Sequence, residues 1–436
     1  MRKFTLIWLA HLISSIGTRM GDFAITLWVW ELTGSATSLA LTGFFYQLPR
    51  IITAIFAGIV VDRFSRKYLM ILSEAAVVVS TLMLLVLHLT GQLEIWHLYL
   101  AASINGGFGK FGGLAYRASI TLLVESKNYT RANSMDTATR YSCILIAPAL
   151  AGILYPIIGL GGIFSIKLAT FAIPITTLAL LKIPQPVLEQ GKMEEKKESL
   201  LNRLTSFWSE VTFGIRYLWQ SPGLRSLLIV TTIFQLARRV SNTVYDPMIL
   251  ARTDSSSQAL AAVSTLAGIG GITGAILVSV WGGFRSNVRG MLVGFSLIGL
   301  AKVVFGLGQS LSVWLTAQFC SSINFPLIES SETALWMAGT PAKFQGRVFA
   351  AHFLVYDLIS MPVALLAGVL SDRVFEPAMK SSSLLQYLFA PIFGTGAGAG
   401  IALLYVFSAS VMLLAGIFGF RMSQLYSIEK DFDTDQ

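Results

Sequence analysis

Charged side chains are scarce in this sequence of 436 residues. Asp, Glu, Lys and Arg together make up only 13% of the chain, whereas a soluble domain carries about 25% because its surface must face water. This shortage excludes a soluble enzyme, a disordered chain and a nucleic-acid-binding protein. The formal net charge of +9 is instead typical of a membrane protein whose cytoplasmic loops hold Lys and Arg.

Cysteines are few, and nucleotide-binding signatures are missing. The only two cysteines, Cys143 and Cys320, both lie in apolar segments, so they predict neither a disulfide framework nor a metal site. The glycine-rich stretches 268–274 and 394–400 lack the Lys-Ser/Thr pair of a phosphate-binding loop. We therefore expect no metal, no cofactor and no nucleotide, and we expect an ion gradient rather than ATP to drive the protein.

Hydrophobic residues dominate what is present, at 54% of the chain. A transmembrane helix needs about 20 apolar residues, so this composition supplies about twelve helices. Polar breaks separate twelve apolar segments, numbered here in chain order: 4–32, 38–61, 68–89, 96–123, 132–156, 162–183, 224–251, 258–282, 290–308, 311–338, 347–371 and 396–420. The sequence predicts an all-α integral membrane fold with twelve transmembrane helices in two pseudo-symmetric six-helix bundles.

The break between segments 6 and 7 defines the predicted domains. They are an N-terminal bundle (1–183), a cytoplasmic linker (184–223), a C-terminal bundle (224–422) and a cytoplasmic tail (423–436). Pro184 and Pro186 end segment 6. Apolar residues at helical spacing between Leu200 and Trp219 predict an amphipathic helix. This helix lies on the membrane surface or packs against a cytoplasmic partner, and the sequence leaves both open.

The distribution of Lys and Arg predicts the orientation in the membrane. With a cytoplasmic N-terminus, eighteen of these residues lie on the inner side and only Arg252, Arg373 and Lys380 lie on the outer side. Cytoplasmic loops are enriched in positive charge. We therefore expect a multi-pass protein of the plasma (inner) membrane with both termini in the cytoplasm.

Charges inside the apolar segments are concentrated on segments 1, 4, 7 and 10. An ion in hydrocarbon costs at least about 3 kcal/mol, so it normally faces a cavity or a partner. The predicted substrate- or ion-binding residues are Arg19, Asp22, Lys110, Arg117, Arg238, Arg239, Asp246, Glu329, Glu332 and, from segment 11, Asp357. The candidates for carrying a proton are Asp22, Glu329, Glu332 and Asp357. We predict that these charges line a polar central cavity; a structural ion-pair network between the two halves is the alternative.

A motif between segments 2 and 3 resembles the signature of the major facilitator superfamily. The stretch Gly58-Ile-Val-Val-Asp62-Arg63-Phe-Ser65-Arg66-Lys67 matches Gly-x-x-x-Asp-Arg/Lys-x-Gly-Arg-Arg/Lys, with Ser65 replacing the second glycine. In segment 5, Ala147-Pro148-Ala149-Leu150-Ala151-Gly152 is similar to the antiporter motif of the same family. The resemblance implies conformational roles for Gly58, Asp62, Arg63, Arg66, Lys67, Pro148 and Gly152.

Further matches resemble the macrolide-efflux branch of the drug:proton antiporters. They are Leu32-Thr33-Gly34-Ser35-Ala36, Leu48-Pro49-Arg50, Gly346-Arg347-Val348-Phe349 and the stretch 367–377. This resemblance covers about Phe4 to Met422. It implies proton-coupled export of amphipathic, macrolide- or peptide-like compounds by alternating access. Lys110, Lys167 and the Arg238–Arg239 pair depart from common members and favour an anionic or zwitterionic substrate.

Two other functions stay open at this point. The stretch from Ser14 to Ala24 also resembles the first helix of ferroportins, which export iron, although segment 7 has no Cys and segment 11 offers Asp357 without a following His. A lipid-moving or receptor protein of the same fold without proton coupling is the other alternative. We expect no enzymatic activity, a monomer, and a small-molecule substrate, protons and the lipid bilayer as partners.

Overall fold

The computed structural model describes residues 1–181, 200–341, 343–381 and 383–434. These residues form helices and no strand, which confirms the all-α fold class. The helices are α1 (Arg2–Thr33), α2 (Ala36–Arg63), α3 (Arg66–Leu89), α4 (Ile95–Leu123), α5 (Tyr129–Leu180), α6 (Leu200–Gln220), α7 (Pro222–Arg252), α8 (Ser257–Trp281), α9 (Asn287–Leu307), α10 (Leu311–Ser322), α11 (Phe325–Ala338), α12 (Gln345–Leu370), α13 (Glu376–Lys380), α14 (Leu384–Phe393), α15 (Ala399–Gly419) and α16 (Ser423–Thr434).

Each of the twelve apolar segments coincides with helical structure. Segments 5 and 6 share α5, which is broken at Gly159, where φ is 62° and ψ is −170°. Only glycine adopts this backbone conformation readily, so Gly159 separates α5 into a first arm and a second arm. In the described part of the chain, eight helical stretches are long and apolar enough to cross a membrane. The helices α1, α4 and α7 are not among the eight and carry internal charges, so the number twelve stays a prediction.

The sequence patterns miss three local features. Segment 10 consists of two helices, α10 and α11, which are separated by a turn at Ile323 and Asn324, although both residues keep right-handed helical φ and ψ angles. The predicted outer loop after segment 11 contains α13 and α14. The predicted tail contains α16, which packs on α7 and whose Glu429 accepts hydrogen bonds from the Ser286 hydroxyl and the Val288 N–H at the start of α9.

The linker helix α6 packs against the beginning of α12 of the same chain. Phe213 and Tyr217 contact Phe344, with ring centroids 5.1 and 5.7 Å apart. Arg347 lies over the Phe213 ring and 3.9 Å from the Glu210 carboxylate. One face of α6 therefore contacts its own protein. Pro184, Pro186 and the charged part of the linker lie outside the described residues.

The buried hydrophobic side chains form three clusters, whose arrangement differs between the two ends of the helices. We call the end at which α1 begins and α15 ends the terminal end, and the opposite end the distal end. At the distal end one continuous cluster includes side chains from both halves of the chain, such as Leu27, Leu84, Leu250, Phe305 and Leu404. The two halves are therefore packed together there.

At the terminal end the hydrophobic core is divided in two. One cluster belongs to helices before Leu181 and contains Phe4, Leu69, Ile120 and Leu178. The other belongs to helices after Leu200 and contains Leu224, Met291, Leu335, Val348 and Met412. Because these clusters are separate, no buried hydrophobic cluster joins the described residues of the two halves at the terminal end.

Two helix pairs join the halves toward the distal end. A Cβ on Gly368 of α12 would lie 3.0 Å from the Ala36 carbonyl oxygen of α2, and a Cβ on Gly152 of α5 would overlap Ala261 of α8. The Ser257 hydroxyl also donates to the Gly152 carbonyl oxygen at 3.4 Å. Small residues therefore allow close helix packing where the two halves meet.

Candidate functional site

A cavity of about 630 Å³ lies between the two halves of the chain. Its lining comes from α1, α2, α3, α4, the second arm of α5, α7 and α12. Leu84 and Leu98 of the lining belong to the distal cluster, and Met70 and Tyr116 belong to a terminal cluster. The cavity therefore extends from the distal end, where one cluster joins the two halves, toward the terminal end, where the clusters are separate.

Six charged side chains line this cavity. Four of them were predicted as binding residues: Arg19 and Asp22 on α1, and Arg239 and Asp246 on α7. Sequence reasoning placed neither Glu74 on α3 nor Lys167 on α5 among the binding residues, although both line the cavity. Three acids and three bases give the lining a formal charge near zero, which suits a polar site within an apolar bundle.

Lys167 is the most buried of these charges, with only 3% of its surface exposed. Its side chain crosses α1 at Gly21, where a Cβ would lie 2.8 Å from the lysine Cδ and 3.4 Å from Nζ. Asp22 interacts with Lys167 electrostatically. Gly21 thus provides the space through which the lysine side chain reaches the cavity.

Glu74 and Asp246 lie on opposite sides of the domain division, in α3 and α7. Neither carboxylate forms an ion pair within 4.0 Å with a side chain that the structure describes. Asn105 adds a polar group nearby in the lining and accepts a hydrogen bond from the Ser80 hydroxyl at 2.8 Å. The site therefore holds carboxylates that can gain or lose a proton without breaking an ion pair.

His11 and Tyr116 line the part of the cavity near the terminal end. Their rings stack with centroids 4.7 Å apart, and the carboxylate of Asp136 interacts electrostatically with both. This group joins α1, α4 and the first arm of α5. His11 is therefore packed against Tyr116 and also borders the cavity.

The other predicted binding residues do not line this cavity. Glu329 of α11 lies 3.3 Å from Arg140 of α5, and both side chains are more than half exposed. Glu332 interacts electrostatically with Arg238. Arg117 is exposed on α4. Of the predicted binding residues, Glu329, Glu332 and Arg238 therefore interact with other charged side chains outside the cavity, and Arg117 does not line the cavity either.

Asp357 of α12 is surrounded by bases from three other helices. It interacts electrostatically with Arg50 of α2, Lys110 of α4 and Arg239 of α7. Arg239 belongs to the cavity lining, whereas Asp357 and Lys110 do not. The acid of one half thus interacts with bases of both halves beside the cavity, although it forms no ion pair within 4.0 Å with a described side chain.

The basic residues of the predicted signature motif contact the ends of neighbouring helices. The Lys67 ammonium donates to the carbonyl oxygens of Ala179 and Leu181, at 2.9 and 3.0 Å, and the Arg66 guanidinium donates to the Ala118 carbonyl oxygen. A cation at a helix C-terminus is stabilised by the helix dipole. The side chains of the motif residues Gly58, Asp62 and Arg63 lie outside the described part of the structure.

The residues of the predicted antiporter motif lie in the first arm of α5. Pro148 interrupts the helical hydrogen bonds of this arm, and Gly152 gives the close contact with α8 described above. The geometry shows helix packing between the two halves. A role in antiport stays a prediction.

Asp372 links the two halves at the distal end. Its carboxylate accepts hydrogen bonds from the Ser35 hydroxyl at 2.6 Å and from the N–H groups of Ala36 and Thr37 at 3.1 and 2.8 Å. These groups form the N-terminus of α2, where an anion is stabilised by unpaired N–H groups and the helix dipole. The Asp372 carboxylate of the second half therefore caps the N-terminus of α2 in the first half.

The described residues contain no group of three or more His, Cys, Asp or Glu side chains that could hold a metal ion. A site for a transition metal uses such side chains as ligands.

Close packing of α2 and α4 behind the cavity gives the first prediction. A Cβ on the buried Gly106 would overlap the Tyr46 carbonyl oxygen, whereas a Cβ on the neighbouring Gly109 would meet nothing within 4 Å. We expect Gly106→Ala to lower the free energy of unfolding by about 1–3 kcal/mol through overpacking. Thermal unfolding of purified protein measures the effect, with Gly109→Ala as the matched control. Equal melting temperatures for the two variants would contradict the described helix contact.

Comparisons with known proteins agree with this architecture. The family model of the Major Facilitator Superfamily matches residues 7–364. Macrolide efflux protein A of Streptococcus pyogenes is 23% identical over 375 residues, covering 85% of this chain and 90% of that protein. The enterobactin exporter EntS of Salmonella typhimurium is 25% identical over 378 residues, covering 84% and 85%.

Solved structures share the fold. A bacterial homologue of the iron transporter ferroportin in an inward-facing state superposes with a TM-score of 0.66 at 14% identity, covering 97% of this chain and 98% of that one. The resemblance to the macrolide-efflux branch that the sequence motifs predicted is confirmed by the relatives. Since the family model spans most of its length, this chain belongs to the Major Facilitator Superfamily of membrane transporters.

Proposed function

We propose that this transporter is a proton-coupled exporter of amphipathic small molecules that works by alternating access. The observation that carries this proposal is the mixed-charge cavity, which lies between two halves packed together at the distal end and separated at the terminal end. A binding site closed on one side and open on the other is one of the two states that alternating access requires. The efflux functions named for two relatives support the direction.

The terminal end is the cytoplasmic end in this proposal. The excess of Lys and Arg on that side of the sequence supports the assignment. The cavity of the structure then opens inward, which is the state in which an exporter takes up its substrate. Residues 1–183 and 224–422 act as the two moving bundles, in the plasma membrane, with the linker and both termini in the cytoplasm.

The lining is suited to a molecule with both apolar and polar parts. Leu39, Leu84, Leu98 and Phe171 provide apolar surface within the same cavity as the six charges. Binding pockets for small molecules combine a mainly apolar surface with a few placed polar groups. An amphipathic compound satisfies both kinds of surface at once.

Glu74 and Asp246 carry the protons in this proposal. Because neither has a cationic partner within ion-pair distance in the described structure, protonation costs no ion pair. Asp22 differs, since it interacts with Lys167. Glu329 and Glu332, predicted as proton carriers from the sequence, do not line the cavity. Glu329 instead pairs with Arg140 of the other half.

Transport by purified protein in liposomes tests this function. A gradient of one pH unit supplies about 1.4 kcal/mol per exchanged proton, which supports about tenfold accumulation of substrate. We expect an acidic lumen to drive radiolabelled erythromycin inward as protons leave. Erythromycin is a weak base and enters acidic vesicles unaided, so protein-free liposomes with the same gradient set the baseline.

Two results would contradict the proposal. The first is erythromycin accumulation no greater than that of the protein-free liposomes. The second is transport without any proton release when a lumenal pH dye is followed. The second result would instead favour a carrier of the same fold that is not coupled to protons.

A further inference from the structure

Lys167 differs from the other buried lysine of the protein in how its charge is satisfied. Lys302 is equally buried, at 3% exposure, but its ammonium donates to the Tyr405 hydroxyl at 3.2 Å and lies over the rings of Tyr245 and Tyr405. Lys302 does not line the cavity, whereas Lys167 does. Lys302 thus has a hydrogen-bond acceptor and aromatic rings of the protein around its ammonium group, whereas Lys167 borders the transport cavity.

The Lys167 ammonium has no close partner among the side chains that the structure describes. It donates no hydrogen bond and forms no ion pair within 4.0 Å, and the acid that acts on it, Asp22, lies farther away. A lysine buried in a membrane bundle normally pairs with an opposite charge or faces a polar cavity. An unpaired charge in a medium of low dielectric constant raises the free energy of the protein, and binding of an anion offsets this increase.

The surrounding helices are shaped around this lysine. Gly21 of α1 has no side chain where the lysine Cδ and Nζ pass, and Gly17, one turn earlier, faces Thr170 of the same arm of α5. Any larger residue at Gly21 would block the path of the lysine toward the cavity. The local sequence therefore maintains access of one ammonium group to the cavity.

We infer that Lys167 forms a carboxylate-binding subsite of the cavity, so that amphipathic organic acids are a substrate class of the transporter in addition to compounds without a carboxylate, such as erythromycin. A single negative charge fits because Asp22, although beyond ion-pair distance, interacts with the lysine and would repel a second negative charge. Arg239 lies in the same lining, and its Nε is buried without a hydrogen-bond partner in the described structure. Arg239 therefore also favours a negatively charged ligand. The apolar part of the acid contacts Leu84 and Leu98. This inference rests on the proposed function, since it names the ligand of the transport site.

Equilibrium binding of a matched pair of probes tests the inference. N-dansyl-leucine and N-dansyl-leucinamide differ only in carboxylate against carboxamide, and dansyl fluorescence reports their binding to detergent-purified protein. We expect the wild-type protein to bind the acid about tenfold more tightly than the amide, which corresponds to a charged pair worth about 1.4 kcal/mol. We expect Lys167→Gln to abolish this preference and Lys302→Gln to retain it.

The outcome decides the inference even if a variant does not fold. Equal binding of acid and amide by the wild-type protein, including no binding of either, overturns it without any variant. A monodisperse Lys167→Gln protein that keeps the preference overturns it as well. These results are distinct from a failure of the proposed function, because binding needs no gradient. Erythromycin transport by a protein that binds acid and amide equally rejects only the role of Lys167. Preferential binding of the acid without gradient-driven transport rejects only proton coupling.

Discussion

Asp246→Asn is expected to abolish pH-gradient-driven accumulation of erythromycin in liposomes, reducing it to the protein-free level. Asp246 lines the cavity from α7, and we propose that it carries a proton through the transport cycle. The asparagine side chain has nearly the same shape but cannot titrate, so the variant retains the cavity and loses the exchangeable proton. With a gradient of one pH unit, the lost accumulation is about tenfold.

A matched substitution separates this effect from a general loss of charge. Asp254 lies exposed in the turn after α7 with φ 49°, a conformation that asparagine tolerates as well as aspartate. Asp254→Asn should leave accumulation unchanged. If Asp246→Asn retains gradient-driven accumulation while Glu74→Gln loses it, the proton is carried by Glu74 alone; if both variants retain it, neither carboxylate has the proposed role.

Asp372→Asn is expected to weaken closure of the distal end by about tenfold in the ratio of closed to open molecules. The carboxylate accepts three hydrogen bonds from Ser35, Ala36 and Thr37 at the start of α2. Hydrogen bonds to a charged group contribute about 1.5–3 kcal/mol each, and the charge also interacts with the helix dipole. Asparagine keeps one acceptor oxygen and loses the charge. We therefore expect the free energy of distal closure to change by about 1.4 kcal/mol, which is tenfold in the ratio of closed to open molecules.

The measurement is the distance between spin labels on Gln92 and Ser310, which lie in exposed loops at the distal end of the two halves. We expect Asp372→Asn to increase the population with the longer distance. Glu94 provides the control, because it caps α4 at the same end without joining the two halves. An increase of the same size for Glu94→Gln would mean that Asp372 has no specific role in closure.

Much of the fold could be predicted because it depends on local patterns. Apolar length marks most of the membrane segments, and the helical spacing of apolar residues between Leu200 and Trp219 marks α6. The break of α5 at Gly159 lies in the gap 157–161 predicted between segments 5 and 6, whereas the split between α10 and α11 was not predicted. A glycine inside an apolar run has many roles in membrane helices, and only the observed φ of 62° shows which role Gly159 has.

The candidate site could be predicted only in part. Arg19, Asp22, Arg239 and Asp246 were found because a charge in an apolar segment signals a cavity. Glu74 carries the same signal in an otherwise apolar α3 and was overlooked for lack of a charged neighbour. The sequence could not assign Glu329 and Arg140 to each other, because such a pair depends on how distant helices are rotated.

Contacts between the halves were the least predictable feature. Asp372 stands in a stretch that resembles a family motif, yet its partners at Ser35 to Thr37 are remote in sequence. One sequence without an alignment does not show such a pairing. Lys167 was noticed as unusual, but the space that Gly21 provides for it appears only when α1 and α5 are packed together.

In the proposed alternating access, the two halves close one end of the cavity while they open the other. Paired distance measurements test it in a chain whose native thiols are replaced by Cys143→Ala and Cys320→Ser. The terminal end is labelled at Lys127 and Arg285, and the distal end at Gln92 and Ser310; all four residues are exposed.

We predict opposite changes at the two ends. When erythromycin is added or the pH is lowered, the Lys127–Arg285 distance should shorten in the same fraction of molecules in which the Gln92–Ser310 distance lengthens. This result would be the direct signature of alternating access in a two-state equilibrium. Distances that stay fixed under both treatments, or that change in the same direction at both ends, would contradict the account.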